Sequence, residues 1–142
     1  RKLGSIASGL YASPGYLARA GRPRRVRDIE SHDAVTVRAM KDAPWRLRKG
    51  DESVEVRPRI VAVGDDFSFV RAAASAGMGL AILPPLFATP LVDAGSLVPL
   101  LQKWATPHGS LSVVWPRSRF MAPRVRAFLD MLPANLEEVA RF

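Results

Sequence analysis

The residues in this 142-residue chain best suited to moving a proton or holding a metal are its two histidines, His32 beside Asp33 and His108 in a Pro-His-Gly turn. Neither stands at metal-ligand spacing from another ligand, since the sequence has no HxH, no HExxH and no cysteine. The adjacent acids Asp65 and Asp66 could form a carboxylate pair, but acids at a helix start are better read as caps favoured by the helix dipole. No serine sits in a GxSxG elbow. Gly77-Met78-Gly79 begins like a dinucleotide fingerprint, yet Ile82 holds the third glycine position and the order is helix then strand, the reverse of what phosphate binding needs. These residues supply no convergent acid, base and nucleophile. A binding function without catalysis, metal or cofactor is expected.

The absence of cysteine excludes disulfides and thiolate metal sites and fits a reducing cytoplasm. No stretch approaches the roughly 20 apolar residues that span a bilayer, so no membrane partner is expected. The first residue is Arg1, with no targeting pattern behind it, and the chain reads as cut from something longer. A surplus of 21 basic over 13 acidic residues gives a net charge of +8. Arg22, Arg24, Arg25 and Arg27 cluster around Pro23, and Arg117, Arg119, Arg124 and Arg126 flank the last helix. The first cluster interleaves no aromatics, and both are read as solvated surface. The competing reading, direct contact with nucleic acid, predicts steeply salt-dependent retention on DNA.

The elements that must position any site follow from punctuation and period. Ser5 to Ala12 reads as a strand feeding a helix, with Ser13 as N-cap and Pro14 at the first helical position, and Gly21 stops that helix after Ala20. A turn is expected over 28–32. Ala34 to Arg38 alternates weakly, with Val35 and Val37 on one face. Trp45 and Leu47, then Val54 and Val56, alternate with charged residues around Lys49-Gly50-Asp51, which predicts a hairpin with one wet face. Arg59 to Val63 is a β-branched strand leading to a helix from Phe67, capped by Asp65 or Asp66. Gly77 closes that helix, and Leu80 to Leu83 is a short apolar run of the kind covered on both faces. Pro84 and Pro85 open the next helix, Gly95 closes it, and a strand resumes over 97–101. A last strand is expected over 111–115, ended by Pro116. A helix from Pro123 then carries Val125, Phe128, Leu129 and Leu132 on one face, and Pro133 ends or kinks it. Leu136 to Phe142 reads as one further helical piece. The helix from Phe67 shows Ser68, Arg71 and Ser75 as its only polar stripe. Its wide apolar arc reads either as an interface between subunits or as small alanines tolerating exposure.

Taken in order, these elements resemble the effector-binding domain of LysR-type transcriptional regulators, in the branch with a tryptophan-led hairpin. Carrying the resemblance are Gly9-Leu10-Tyr11-Ala12-Ser13-Pro14-Gly15-Tyr16-Leu17, Trp45-Arg46-Leu47 before Gly50, Ala74 through Pro84, Val113-Val114-Trp115-Pro116, and Pro123 through Leu129. The resemblance implies an α/β, periplasmic-binding-protein-like (type II) fold, with a mixed sheet, flanking helices and two hinge crossover strands. On this basis 1–10 is the first crossover, 11–109 the second lobe, and 110–142 the return strand and terminal helix of the first lobe, with the DNA-binding domain absent. The implied partners are a small effector, held between two lobes, and further copies in a homodimer or homotetramer. DNA would be reached only through a missing winged helix-turn-helix. Expected effector-lining residues are Ser13, Thr36, Trp45, Gly64, Asp66 and Ser68; Trp45 also reads as ordinary hairpin packing. The apolar helix then tips toward an interface, at Phe67, Val70, Arg71 and Ala74. A fragment of a transport system's solute-binding protein is the alternative on the same architecture.

Overall fold

In the computed structural model, residues 2–107, 109–115 and 122–139 are described, with side chains described as far as 132. The expectations for His108, Pro116, Arg117, Arg119 and residues 140–142 lie outside this range. The chain divides into two compact units, 7–107 and 1–6 with 108–142.

The larger unit is a five-stranded mixed sheet in the order β6-β3-β7-β2-β8. Its strands are β2 (Gly9–Ala12), β3 (Asp33–Val37), β6 (Arg59–Gly64), β7 (Leu80–Leu83) and β8 (Val98–Leu100). Parallel pairing of β3 with both β6 and β7 puts three strand carboxyl ends at one edge, while β2 runs antiparallel to β7 and β8. Strand β3 forms where the sequence places it, and residues 34–37 are all buried. With strands on both sides and packing on both faces, it has no wet face to show, and its weak alternation is the mark of a central strand. By contrast β7 is buried throughout, as its unbroken apolar run predicts.

Each face of the sheet has its own core. One gathers Leu10, Ala12, Ala34, Leu80, Ile82 and Leu100 under helix α1 (Pro14–Ala20), a 3-10 turn over Val26–Ser31 and a hairpin. That hairpin, β4 (Trp45–Lys49) and β5 (Glu52–Val56), forms its own two-stranded sheet and lays Trp45, Leu47 and Val56 into the core while Arg46 and Arg48 face water. The opposite face packs Val35, Val37, Ala81 and Leu83 under α2 (Phe67–Ser75) and α3 (Pro85–Asp93). The strand expected over 5–12 is two strands: β1 (Lys2–Ile6) belongs to the smaller unit and β2 to the larger.

Glycines terminate both covering helices. Gly77 follows α2 with φ +87° and Gly95 follows α3 with φ +72°, where an L side chain is strained. Gly79 answers a different demand, because a Cβ there would lie 2.6 Å from the Asp33 carbonyl oxygen, and only hydrogen lets β7 pass so close to β3.

In the smaller unit β1 pairs antiparallel with β9 (Gly109–Ser112) beside α4 (Pro123–Val139). The strand expected to reach Trp115 ends earlier: the last register pair is Lys2 with Ser112. Of the two expectations at Pro133, ending is excluded, since the backbone of helix α4 continues through it to Val139. A proline forfeits one N–H and crowds the preceding turn, which bends a long helix without compelling it to stop. Of its apolar face, Leu129 is buried and Leu132 half-buried, whereas Val125 and Phe128 are exposed.

Candidate functional site

Two neighbouring parallel strands offer a candidate receiving edge, because in open α/β sheets the carboxyl ends of strands leave backbone and loop groups free to meet a ligand. At this edge β3 ends on Thr36 and Val37, and β6 ends on Val63 and Gly64, with Thr36 level with Val63 and Val37 with Gly64. Arg38 follows β3 at the start of a short 3-10 turn, and its Nε donates to Asp65 Oδ1 at 2.7 Å, tying the two strand ends together. Both side chains of that pair are largely exposed. Asp66 is the N-cap of α2, its Oδ1 accepting from the Phe69 N–H at 2.9 Å, so capping falls to the second acid while the first pairs with arginine. Ser68 stands exposed in the first turn of the same helix.

Gly64 is buried, and its missing side chain is the reason the turn fits. A Cβ there would lie 2.6 Å from Phe69 Cγ and 2.8 Å from its Cβ, so the Phe69 ring occupies what a side chain at 64 would fill. Thr36, also buried, alternates with Val35 and Val37 and so faces the hairpin side with Ala34. Trp45 enters the core on that side and is only 1% exposed, which fits ordinary hairpin packing; its Nε1 is buried without a hydrogen-bond partner among the described residues.

Ser13 stands elsewhere. Its Oγ accepts from the Tyr16 N–H at 3.1 Å, which makes it the cap of α1, and it lies beside Gly77, just before β7 begins. Gly64 and Asp66 flank the opposite end of α2, nine residues or about 13 Å away along the helix. Thr36, Gly64, Asp66 and Ser68 are therefore brought to one edge of the sheet, and Ser13 to the other.

The rear edge holds a connected polar cluster of its own. Tyr16 Oη accepts from the Asp33 N–H at 3.0 Å and lies 2.9 Å from His32 Nδ1, all but buried, while Arg59 pairs with the Asp33 carboxylate. That guanidinium holds the Asp33 carboxyl below its ordinary pKa, and burial pushes the Tyr16 phenol up. The bond from the Asp33 N–H to the Tyr16 oxygen ties α1 to the start of β3, with His32 at the same hydroxyl. Among the described residues no group of three His, Cys, Asp or Glu side chains could hold a metal ion, and no helix is long and apolar enough to cross a membrane.

Two residues at the front edge were missed by sequence reasoning. Arg38 carries a legible signal, a cation directly after a strand's last residue. Tyr11 carries less: its ring lies back over Gly9, whose Cβ would come 3.0 Å from Tyr11 Oη, aiming the hydroxyl toward the Leu83 end of the sheet. Half-burial pushes that phenol's pKa up.

On α2, Val70 and Ala74 are fully buried against the chain's own sheet, and Phe67 packs at a tilt against Phe87 of α3 with centroids 5.5 Å apart. These three are spent within the chain rather than presented outward, and Arg71 is half-buried. The outward arc is Ser68, Phe69, Ala72 and Ala76. The adjoining strand β6 is an edge strand with Val61 exposed.

Comparison with known proteins agrees with this architecture. The family model of the LysR substrate binding domain matches residues 1–137. An HTH-type transcriptional regulator of Xanthomonas campestris pv. campestris is 29% identical over 141 residues, covering 96% of this chain and 41% of that protein. The HTH-type transcriptional repressor PA14_22550 of Pseudomonas aeruginosa is 32% identical over 133 residues, covering 92% and 42%. Among solved structures, a full-length variant of AphB has a TM-score of 0.80 at 25% identity, covering 94% of this chain and 46% of that one. The regulatory domain of AphB from Vibrio vulnificus has a TM-score of 0.75 at 26% identity, covering 94% and 68%. The chain thus spans about two fifths of the length of the curated relatives it matches.

Proposed function

Because the chain belongs to the LysR substrate-binding-domain family, with its periplasmic-binding-protein-like (type II) mixed sheet, we propose that it is the effector-sensing and self-associating part of a LysR-type transcriptional regulator. It is not an enzyme; the proteins it matches are transcriptional regulators. Those names also give no support to a solute-binding fragment of a transport system. The effector is a small organic acid received at the carboxyl edge of β3 and β6, and the observation that carries this is Arg38 held there by Asp65 at 2.7 Å. An arriving carboxylate competes for that guanidinium and meets the free N–H groups of the first turn of α2. With Asp65 and Asp66 adding negative charge to the same edge, a monoanion is favoured over a dianion.

The outward arc of α2 and the open edge of β6 form the self-association surface, in a homodimer or homotetramer. Residues 1–10 and 110–142 supply the crossover strand, return strand and terminal helix of a first lobe, and 11–109 the second lobe. DNA is reached through a winged helix-turn-helix outside this chain, in the cytoplasm. Effector preference for one arrangement of the assembly over another supplies the switch.

Thermal unfolding against a panel of monocarboxylates tests the effector site. A ligand at 100 times its Kd stabilises by about 2.7 kcal/mol; Arg38→Gln and Thr36→Val should abolish the resulting rise in Tm, and Ser13→Ala should keep it. Equal rises in all four proteins would overturn the assignment.

A further inference from the structure

Loop 22–27 carries four arginines in six residues, and none of Arg22, Arg24, Arg25 and Arg27 forms an ion pair among the described residues. All four are exposed. The loop is nevertheless fixed: Pro23 and Val26 are buried beneath it, and the backbone N–H groups of Arg24 and Arg25 both donate to Asp28 Oδ2, at 2.9 and 2.8 Å. Asp28, the acid nearest in sequence, thus turns its oxygen to the backbone. Arg22 Nη2 reaches the Pro99 carbonyl at 3.2 Å, anchoring the loop beside edge strand β8. Elsewhere on the described surface several cations face acids, as in Arg38 with Asp65, Arg46 with Glu55, Lys49 with Glu52 and Arg59 with Asp33, whereas this loop sets four unpaired guanidiniums within six residues.

We propose that loop 22–27 is a sequence-independent contact for the phosphate backbone of duplex DNA, auxiliary to the reading module that the regulator reading places outside this chain. The choice of duplex rests on that reading and on what the loop lacks. It exposes no aromatic ring on which unpaired bases could stack, which disfavours a single strand. Its two apolar residues are buried, so it has nothing to insert into a lipid interface. Guanidinium forks on a fixed backbone suit phosphate oxygens, which position a protein on DNA without reading bases.

The test measures retention of the 142-residue chain on a random-sequence duplex across a salt series. The wild type should bind at low salt, and Arg24→Gln, Arg25→Gln and Arg27→Gln together should lower the log–log salt slope by about 3, near 0.9 for each phosphate no longer neutralised. The charge-preserving triple Arg24→Lys, Arg25→Lys and Arg27→Lys should restore most of that slope, which separates lost charge from a lost fold. A control of equal charge change, Lys41→Gln, Arg48→Gln and Lys103→Gln, should keep a slope near wild type. An equal loss in the control would overturn the proposal in favour of net charge alone, and so would absence of wild-type binding at low salt. Stronger capture by vesicles of anionic lipid than by duplex would overturn the choice of partner. Effector binding is read separately by Tm, so failure of the organic-acid site leaves this slope untouched.

Discussion

Single residues set the shape of the front edge, and Gly64 is the sharpest case. Its burial under Phe69 was invisible to sequence reasoning, which put Gly64 at the turn but had no means of seeing the ring that covers it, because the contact depends on how α2 leaves its cap. Gly64→Ala should therefore destabilise by about 1–3 kcal/mol through overpacking. A Phe69→Ala background removes the ring but keeps the Cβ at 2.8 Å, so the same change should cost less there without becoming neutral, and a double-mutant cycle in denaturant reads the difference as coupling. Additive costs would mean that ring and backbone do not compete for one volume. Asp66 was the legible counterpart: an acid just before an apolar run announces a cap, and its 2.9 Å bond to the Phe69 N–H is what that spacing predicts. The split of Ser13 from the other lining residues was not legible, because a cap looks the same at either end of a sheet and only strand direction separates them.

Elements were legible where punctuation is strong and less so where burial is two-sided or a ladder ends. Helices α1, α2 and α3 start and stop at the proline, acid and glycine signals, and the hairpin turns at Gly50, whose φ is +59°. The weak alternation of β3 gave the strand but not the burial of both its faces, and β9 misled by apolar spacing that runs on past its last pairing with β1. The junction of α1, the 3-10 turn, β3 and β6 gives an element-scale prediction. Hydrogen bonding to Arg59 depresses the Asp33 carboxyl, and the N–H groups of Arg25 and Arg24 depress that of Asp28. A carboxyl with a lower pKa folded than unfolded stabilises the fold above its ordinary value and loses that contribution as pH falls through the depressed one. The denaturation midpoint should accordingly fall as pH drops below the ordinary aspartate range, and more shallowly in Asp33→Asn with Asp28→Asn. Identical profiles for variant and wild type would show that neither carboxylate is linked to folding.

For the whole molecule, the order of elements was enough to place the chain in its family, whereas the outward residues of α2 needed coordinates. Apolar character on that helix does not say which arc is spent on the core; burial of Val70, Ala73 and Ala74 does. If Val61 and the outward arc join two copies, Val61→Lys with Ala72→Glu should give a monomer by sedimentation with an unchanged circular-dichroism spectrum. A dimer that survives the pair would move the surface elsewhere. At the rear of the sheet Arg19 Nη2 donates to the Gly77 carbonyl at 2.9 Å, and the same guanidinium lies 5.8 Å from the centre of the Tyr16 ring, so that end of α2 is moored to α1. The leading end is held by packing instead, Phe67 against Phe87 and Phe69 over Gly64. If the proposed effector shifts that leading turn while the far end stays moored, Phe69 would move more than Ala76, and the proposed self-association surface would tilt with it.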